Sequence, residues 1–457
     1  MTAQSKRKAR SNKIGSFYAA NLSIDGIELT ADFKNAFDLM ESTKKNMFVT
    51  GKAGTGKSTL LRYFRAKTKK EVVVVAPTGI AAVSIDGQTI HSFFWFPLHF
   101  VRKDDVKVVY RSKKIFEKLD TLIIDEVSMV RADIMDAIDY SLRLNRGKMG
   151  EPFGGVQIVA FGDLHQIPPV VNSELSKVFE RKYESPFFFS ANIMKEIQFE
   201  NVELSRIFRQ SDEEFIELLN KVRNRTYTQQ DLNKLNERVG ISPSRAKSDE
   251  ITLTATNERA SQINNQRLSG LPGKAFEFSA DISGEYPESS YPCDPKLALK
   301  KGAQVMMIKN DPNKRWVNGS IGLVTKMSGT NIHVSINNNV YDIQPQAWHN
   351  IRYIYDEPTG KIEPKIIGSF EQYPIKLAWA ITIHKSQGQT LDSVVIELEG
   401  GAFTHGQVYV ALSRCRTFEG IRLMRPINHH DVIFDDRVAS YINRFVDQTK
   451  EVKIINE

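Results

Sequence analysis

The fold follows from Gly51-Lys-Ala-Gly-Thr-Gly-Lys57-Ser58, which matches the phosphate-binding pattern G-x-x-x-x-G-K-[ST]. An apolar run, NMFVT at 46–50, precedes this stretch, and a helical pattern from about Lys57 to Arg65 follows it. Glycines let consecutive backbone N–H groups turn inward around phosphate oxygens, and the following helix presents its positive N-terminus to the same anion. The sequence of strand, loop and helix therefore predicts an α/β fold that binds a nucleotide phosphate.

Different residues of the loop are expected to bind the nucleoside triphosphate and its metal. Lys57 would reach the β- and γ-phosphates, and the Ser58 hydroxyl would ligate Mg²⁺. ATP and Mg²⁺ are thus the expected cofactors. The other residues expected to bind the nucleotide here are Gly51, Ala53, Gly54, Thr55, Gly56 and Thr59.

Further apolar strands alternate with helical segments, which is typical of a parallel sheet covered on both faces. In such a sheet, ligand-binding groups collect at the carboxyl ends of the strands. Asp125 would hold Mg²⁺ through water, and Glu126 would position and deprotonate the attacking water. Gln166 can bond the γ-phosphate or the lytic water, although a turn or helix cap explains it equally well. The strands are predicted in VVVVAP (72–77), TLIIDE (121–126) and VQIVAFGD (156–163).

Two arginines are candidates for stabilising charge on the γ-phosphate in the transition state. In motor ATPases this cation comes from the facing domain. Arg209 in LSRIFRQ and Arg414 in VYVALSR qualify, and both would then be catalytic. Because the chain holds 62 Lys and Arg residues, a solvated surface charge is the alternative for each of them.

Composition limits the protein class. The 457 residues are 41% hydrophobic and 25% charged, as expected for a folded globular chain. The net charge of +8 favours a polyanionic partner without proving one. Cys293 and Cys415 are too few for a disulfide framework or a thiolate metal site, which is typical of a reducing cytosol. No run approaches the roughly 18 apolar residues that span a bilayer, so a cytoplasmic protein without a membrane partner is expected.

A second α/β series begins at ITLTATN (251–257) and resumes at LAWAITIHK (377–385). Between them lie short alternating runs broken by Gly, Pro and Asn, and Asn318-Gly319 is a strong hairpin signal. These runs predict a small β-barrel-like insert that interrupts the second α/β unit.

Nine motifs follow one another along the chain. They are GKAGTGKST (51–59), APTGIAA (76–82), GQTIHSFF (87–94), IIDEVSM (123–129), GDLHQIPPV (162–170), FRQ (208–210), WVNGSIG (316–322), TIHKSQGQTLD (382–392) and VYVALSRCR (408–416). In this order they resemble the motifs of the PIF-type DNA helicases of superfamily 1B, the RecD-like branch. The resemblance implies an α/β fold of two RecA-like P-loop parallel-sheet domains with ATP in the cleft between them. It also implies a small wedge insert in the first domain, an SH3-like β-barrel insert in the second, and ATP-driven 5′ to 3′ movement on single-stranded DNA with unwinding.

The expected division of the chain follows from the same resemblance. A mobile basic arm at 1–26 precedes the first RecA-like domain at 27–200, whose wedge insert lies at about 90–105. The second domain consists of 201–295 and 375–440, the barrel insert of 296–374, and the tail of 441–457. One chain would supply both halves of the ATP site, so a monomer is expected.

The resemblance also carries roles over by motif. Gly388 and Gln389 would bind the nucleotide and couple it to DNA. The buried-core alternative stays open for the aromatics, because most aromatic side chains lie in cores. The predicted DNA contacts are Pro77, Thr78, Gly79, His91, Phe93, Thr382, His384 and Lys385.

One position departs from the family pattern. These helicases often read adenine with a glutamine in L-[ST]-x-x-Q, whereas LTADF (29–33) ends in Phe33. Phe33 would either stack on the base or pack in the core, and looser nucleotide specificity is expected.

Two other functions fit the same motifs. The chain could be a nucleotide-gated clamp that remodels single-stranded DNA without unwinding, or it could be an RNA-directed helicase. The expected partners are otherwise single-stranded DNA and junctions of single- and double-stranded DNA, in a bacterial or phage-like context.

Overall fold

The computed structural model describes residues 29–171, 173–210, 212–241, 250–398 and 400–444. The predicted basic arm at 1–26 and residues 445–457 of the predicted tail lie outside these ranges. The described chain forms two parallel sheets, with antiparallel sheets inserted into the second unit. The predicted α/β fold class with two parallel-sheet units is therefore confirmed.

The first unit holds a six-stranded, wholly parallel sheet. Its elements are α1 (Ala31–Ser42), β1 (Met47–Gly51), α2 (Lys57–Lys67), β2 (Val72–Ala76), α3 (Gly79–Ser84), β3 (Gln88–Thr89), α4 (Ile90–Phe94), α5 (Lys113–Lys118), β4 (Thr121–Ile124), α6 (Ala132–Arg146), β5 (Gln157–Phe161), α7 (Ser173–Lys182) and β6 (Glu200–Leu204). The strand order is β3-β2-β4-β5-β1-β6. Short 3₁₀ helices lie at Lys103–Asp105, Tyr110–Ser112, Val127–Met129, Pro152–Gly155, Phe188–Ser190 and Asn192–Lys195.

The interior strands β4 and β5 are apolar and buried along their whole length, because helices cover both faces of the sheet. Strand β6 lies at the edge, and only Val202 and Leu204 of its five residues are buried. It pairs with β1 through Leu204, so the first sheet extends beyond the predicted boundary at residue 200. Because one face of β6 is polar, its sequence lacks the continuous apolar run by which the other strands were predicted.

The second unit contains a four-stranded parallel sheet. Its elements are α8 (Glu213–Asn224), α9 (Gln229–Asn236), β7 (Ile251–Thr254), α10 (Asn257–Gly270), β18 (Ala380–Thr382), β19 (Val394–Glu397), α11 (Gln407–Leu412), β20 (Ile421–Leu423) and a final helix α12 over residues 436–444. The strand order in the sheet is β18-β7-β19-β20. Short 3₁₀ helices lie at His384–Ser386 and His429–Asp431.

The insert between α10 and β18 is built from antiparallel strands. They are β8 (Phe276–Ser279), β9 (Asp281–Gly284), β10 (Lys296–Leu299), β11 (Gln304–Met307), β12 (Ile321–Ser328), β13 (Asn331–Ile336), β14 (Asn339–Ile343), β15 (Gln346–Asp356), β16 (Lys361–Gln372) and β17 (Ile375–Leu377), with a 3₁₀ helix at Glu288–Ser290. The strands begin at Phe276 rather than at the predicted residue 296, because β8 and β9 are short and mostly exposed and carry little apolar signal. Closure into an SH3-like barrel stays a prediction.

A long hairpin formed by β15 and β16 leaves the insert and packs on the first unit. Tyr353 lies in one buried cluster with Phe93 and Phe116 of the first unit. Its hydroxyl accepts a hydrogen bond from the Val74 amide at 3.1 Å, and its own amide donates to the Gln88 side chain at 3.3 Å. The insert therefore contacts both units.

The last described helix also returns to the first unit. Tyr441 is buried and stacks on Phe189, with ring centroids 4.5 Å apart. Residues 441–444 of the predicted tail are part of α12. Among the described residues, no helix has the length and apolar character needed to cross a membrane.

Candidate nucleotide-binding cleft

The phosphate loop joins β1 to α2 at the carboxyl edge of the first sheet. Gly54 and Gly56 have φ values of 85° and 89°, a region that side chains other than glycine rarely adopt. The ammonium group of Lys57 donates to the carbonyl oxygens of Gly51 at 2.5 Å and Lys52 at 3.1 Å. Burial lowers the pKa of Lys57. A phosphate entering the loop would give this buried ammonium group an anionic partner.

The two predicted acidic residues follow β4 at the same edge. Asp125 is buried, and Glu126 adopts a left-handed backbone with φ 49°. Burial and the neighbouring Glu126 raise the pKa of Asp125 to about 7. Burial also raises the pKa of Glu126, although the charges of Lys57 and Arg414 oppose this rise. Burial thus makes both carboxylates costly to ionise, and a bound cation would favour their charged forms.

The oxygen atoms of Ser58 and Asp125 suit a Mg²⁺ ion that the nucleotide phosphates also help to bind. Ser58 lies in the first turn of α2 and is exposed, so its hydroxyl is available to a ligand in the loop. In the described part of the chain, no group of three or more His, Cys, Asp or Glu residues could hold a metal ion. Mg²⁺ usually binds through one or two protein oxygens together with phosphates and water, so Ser58 and Asp125 are a sufficient protein contribution.

Gln166 lies at the junction of the two units. Its side-chain amide donates to the Asp163 carboxylate at 3.2 Å, and its oxygen accepts from Gln387 of the second unit at 3.3 Å. Asp163 in turn forms an ion pair at 3.1 Å with Arg223 in α8. Sequence reasoning missed Arg223, because nothing in its local pattern separates it from a surface charge.

Both predicted arginines lie in the seam between the units. Arg209 donates to the carbonyl oxygens of Ser413 at 3.2 Å and Gly388 at 3.3 Å. Arg414 is only 1% exposed and donates to the Val410 carbonyl at 2.9 Å. Burial and the charge of Arg209 lower the pKa of Arg414 to about 9. Among the described residues, neither guanidinium forms an ion pair with a carboxylate, so the seam holds two cations without a matching anion.

The phosphate loop contacts Arg209 and the second unit directly. A Cβ on Gly54 would lie 2.5 Å from the Cβ of Arg209, so only glycine permits this approach. The Ala53 amide donates to the Tyr409 hydroxyl of the second unit at 3.2 Å. Lys57, Glu126, Gln166 and both arginines are therefore brought into one cleft.

The predicted coupling segment lies beside the same pair. Gly388 has φ 76°, and its carbonyl accepts the bond from Arg209. The Gln389 carbonyl accepts from Arg414 at 3.4 Å, while its side-chain oxygen is buried and has no hydrogen-bond partner among the described residues.

The residues predicted to contact DNA follow one strand in each sheet. Pro77, Thr78 and Gly79 come after β2, and the Thr78 hydroxyl caps α3. Thr382 is the last residue of β18 and is buried, whereas His384 and Lys385 follow the strand and Lys385 is exposed. Gly79 lies against Ser290 of the insert, since a Cβ there would be 2.1 Å from the Ser290 hydroxyl.

The structure buries the aromatic residue of α4 that was predicted to contact DNA and exposes the aromatic residue that follows α4. Phe93 is 4% exposed, and its ring packs edge-on against Phe94 and Tyr353. The predicted contact of Phe93 with DNA does not fit this position, because almost none of the side chain is exposed. Trp95 is 52% exposed with φ 60°, and Arg352 of the hairpin lies over its ring at 5.7 Å. The Nε2 atom of His91 is buried and has no hydrogen-bond partner in the described ranges.

Two phenylalanines near the phosphate loop differ in exposure. Phe33 is buried and packs edge-on against Tyr63 at 5.7 Å, which settles its two predicted alternatives in favour of the core. Phe208 is 52% exposed, and its ring lies 3.9 Å from where a Cβ on Gly56 would be. Its position next to Arg209 in the FRQ motif was a signal that sequence reasoning did not use.

These features define a two-unit P-loop nucleotide-binding protein whose cleft receives arginines at the seam. The family model described as PIF1-like helicase matches residues 28–233. The ATP-dependent DNA helicase Pif1 of Bdellovibrio bacteriovorus is 33% identical over 449 residues, covering 95% of this chain and 96% of that protein. The chain belongs to the PIF1-like helicase family, as its motifs predicted.

The chain is also similar to a longer relative and to solved structures. The chain spans 63% of the length of the Xenopus laevis ATP-dependent DNA helicase PIF1, with 34% identity over 442 residues covering 90% of the chain. Bacteroides sp. Pif1 with ADP-AlF4 matches with TM-score 0.86 and 38% identity, covering 92% of this chain and 98% of that one. Bacteroides Pif1 bound to ssDNA matches with TM-score 0.67 and 38% identity, covering 93% and 98%. A structure of DNA unwinding at forked dsDNA by two coordinating Pif1 helicases has the same TM-score and identity, covering 92% and 98%.

Proposed function

We propose that this chain is an ATP-dependent DNA helicase that moves 5′ to 3′ on single-stranded DNA and unwinds duplex or structured DNA. The observation that carries the proposal is the position of the buried Arg414 guanidinium. Arg414 belongs to the second unit, yet its charge acts on Glu126 of the first unit and opposes the rise in the pKa of Glu126. Hydrolysis at such a seam changes the attraction between the two units.

The proposed cycle rests on charge in the cleft. The γ-phosphate supplies the anion that Arg209 and Arg414 lack, so bound ATP draws the units together. Ser58 and Asp125 would hold Mg²⁺, which offsets phosphate charge when bound. Glu126 takes the proton of the attacking water, and Gln166 orients that water. Loss of the γ-phosphate removes the attraction and lets the cleft open.

The proposed DNA path follows the carboxyl edges of both sheets. Cationic grooves that follow phosphates, together with aromatic faces on which bases stack, hold single strands. We assign the aromatic role to Trp95 instead of Phe93, because Trp95 is the exposed ring of the predicted wedge. The remaining proposed contacts are Pro77, Thr78, Gly79, His91, Thr382, His384 and Lys385.

We propose that a monomer is the active unit, because one chain supplies both sides of the nucleotide cleft. Unwinding rates that rise with the square of protein concentration on a fixed amount of forked DNA would oppose this, and would favour paired action.

Strand displacement on tailed duplexes tests the function and its direction. We expect displacement of a 5′-tailed duplex in the presence of ATP, and none of a 3′-tailed duplex of the same sequence. A DNA-stimulated ATPase without displacement of either substrate would indicate a clamp. Stronger stimulation and displacement with RNA tails than with DNA tails would indicate an RNA-directed helicase.

Nucleotide choice should be broad. Phe208 offers a ring face to any base, whereas Phe33 lies in the core and offers no amide to adenine. We expect GTP, CTP and UTP to support DNA-stimulated hydrolysis within about tenfold of ATP, because one net hydrogen bond is worth roughly a factor of ten. Phe208→Ala should raise KM for all four nucleotides alike. Hydrolysis restricted to ATP would contradict this prediction.

A further inference from the structure

The loop from Asp163 to Gln166 belongs to the first unit but is held by the second. The His405 ring nitrogen Nε2 lies 2.9 Å from the carbonyl oxygen of Leu164. A Cβ on Gly406 would lie 2.2 Å from the carbonyl oxygen of His165, so the second unit approaches this loop backbone to backbone. The position of the loop therefore depends on how the two units meet.

Arg223 supplies the charged contact in this junction. The residue is 8% exposed, and its Nη2 atom lies 3.1 Å from the fully buried Asp163 carboxylate. Burial alone would raise the pKa of Asp163, but the charge of Arg223, a hydrogen bond with His165 and the charge of Lys57 hold that pKa well below its usual range. Asp163 is therefore a buried anion placed between a cation of each unit.

The ion pair does not use all the donors of Arg223. Its Nε atom is buried and has no hydrogen-bond partner among the residues that the structure describes. A cavity of about 10 Å³ lies beside the residue and is lined in part by His165, His405 and Tyr409. This space is about the size of one water molecule. Among the described residues, the hydrogen bond to Asp163 is the only one that the Arg223 side chain makes to the first unit, since its other bond is to Asn224 in the second.

We propose that Arg223 is a positioning residue that holds Asp163, and through it Gln166, in the geometry required to sense the γ-phosphate. Because Arg223 lies in α8 of the second unit, the same ion pair makes the position of Gln166 depend on cleft closure. The proposal rests on the proposed function, since it links DNA-dependent closure to hydrolysis. In this proposal Arg223 acts on Gln166 through Asp163, whereas Arg209 and Arg414 act on the γ-phosphate itself.

The test compares ATP hydrolysis of the full chain with and without single-stranded oligo(dT). For Arg223→Met, whose side chain fills much of the same volume without charge, we expect stimulation by oligo(dT) to fall about tenfold or more, within the range of coupling between two sites. KM for ATP should change little, because Lys57 and the phosphate loop remain in place. Arg223→Lys, which keeps the charge but loses the planar geometry, should fall between Arg223→Met and the wild type.

Arg225→Met is the matched control. Arg225 lies two residues further along, is exposed, and faces Asp436 at 3.5 Å on the surface. Its loss should leave the stimulation unchanged. Gln166→Ala provides an independent measure, because Arg223→Lys should cause little further loss of kcat on a Gln166→Ala background if the two residues act in one chain.

The outcomes separate the two proposals. Unchanged stimulation in Arg223→Met, or fully additive losses of kcat with Gln166→Ala, would overturn the positioning role while leaving the helicase proposal intact. If wild type itself shows no stimulation by oligo(dT), the proposed function fails first. Should Arg223→Met not fold, as judged by circular dichroism, the Arg223→Lys comparison on both backgrounds decides the question.

Discussion

Replacing Arg414 by alanine is expected to slow DNA-stimulated ATP hydrolysis by about 10³-fold or more, as for loss of an arginine finger. The guanidinium is buried in the seam, has no carboxylate partner among the described residues and lies near Glu126. It can therefore meet the charge that develops on the γ-phosphate without displacing an existing ion pair. ATP binding should persist, because the phosphate loop does not depend on this side chain for its main bonds.

Turnover and nucleotide affinity are measured separately, by steady-state hydrolysis with saturating oligo(dT) and by titration with a fluorescent ATP analogue. Arg416→Ala is the control, because Arg416 lies two residues away and pairs with Asp392 on the surface at 3.0 Å. Arg414 also donates to backbone carbonyls, so thermal unfolding of each variant checks that the seam is intact. Retained turnover in a folded Arg414→Ala protein would show that the finger is another residue.

The sequence was most informative where function depends on short, local geometry. The phosphate loop and the acidic pair after β4 require particular residues at fixed spacing, so the residue pattern alone predicts that Lys57, Asp125 and Glu126 lie together. The two arginines were identified by motif, but their burial in one seam depends on contacts between segments some 200 residues apart, such as that of Arg209 with Ser413.

The parts that sequence reasoning missed depend on packing over long separations. Phe93 is in the core because the hairpin of β15 and β16 brings Tyr353 across the chain to cover it. In the sequence, Arg223 is indistinguishable from the other basic residues of an amphipathic helix. Only the structure shows that it pairs with Asp163. Neither contact has a local pattern, because hydrophobic periodicity reports which face of an element is buried but not what buries it.

Replacing Lys57 by alanine is expected to reduce DNA-stimulated hydrolysis to background, a loss of at least about 10²-fold as for removal of one main transition-state donor. Its ammonium group already lies inside the phosphate loop, held by the Gly51 and Lys52 carbonyls, and burial lowers its pKa. The group is therefore prepared to exchange carbonyl partners for phosphate oxygens, which bind a cation more strongly.

Binding of oligo(dT) at low salt should survive the same substitution, because the proposed DNA contacts lie after β2 and β18 and not in the phosphate loop. Fluorescence anisotropy measures this binding, and Lys67→Ala, an exposed lysine in the last turn of the same helix α2, is the control for loss of one positive charge. If Lys57→Ala weakens DNA binding far more than Lys67→Ala in the absence of nucleotide, the phosphate loop and the DNA path are not separate sites. Coupling of ATP and DNA through domain closure requires two separate binding sites. The two substitutions therefore test whether the chain has two such sites.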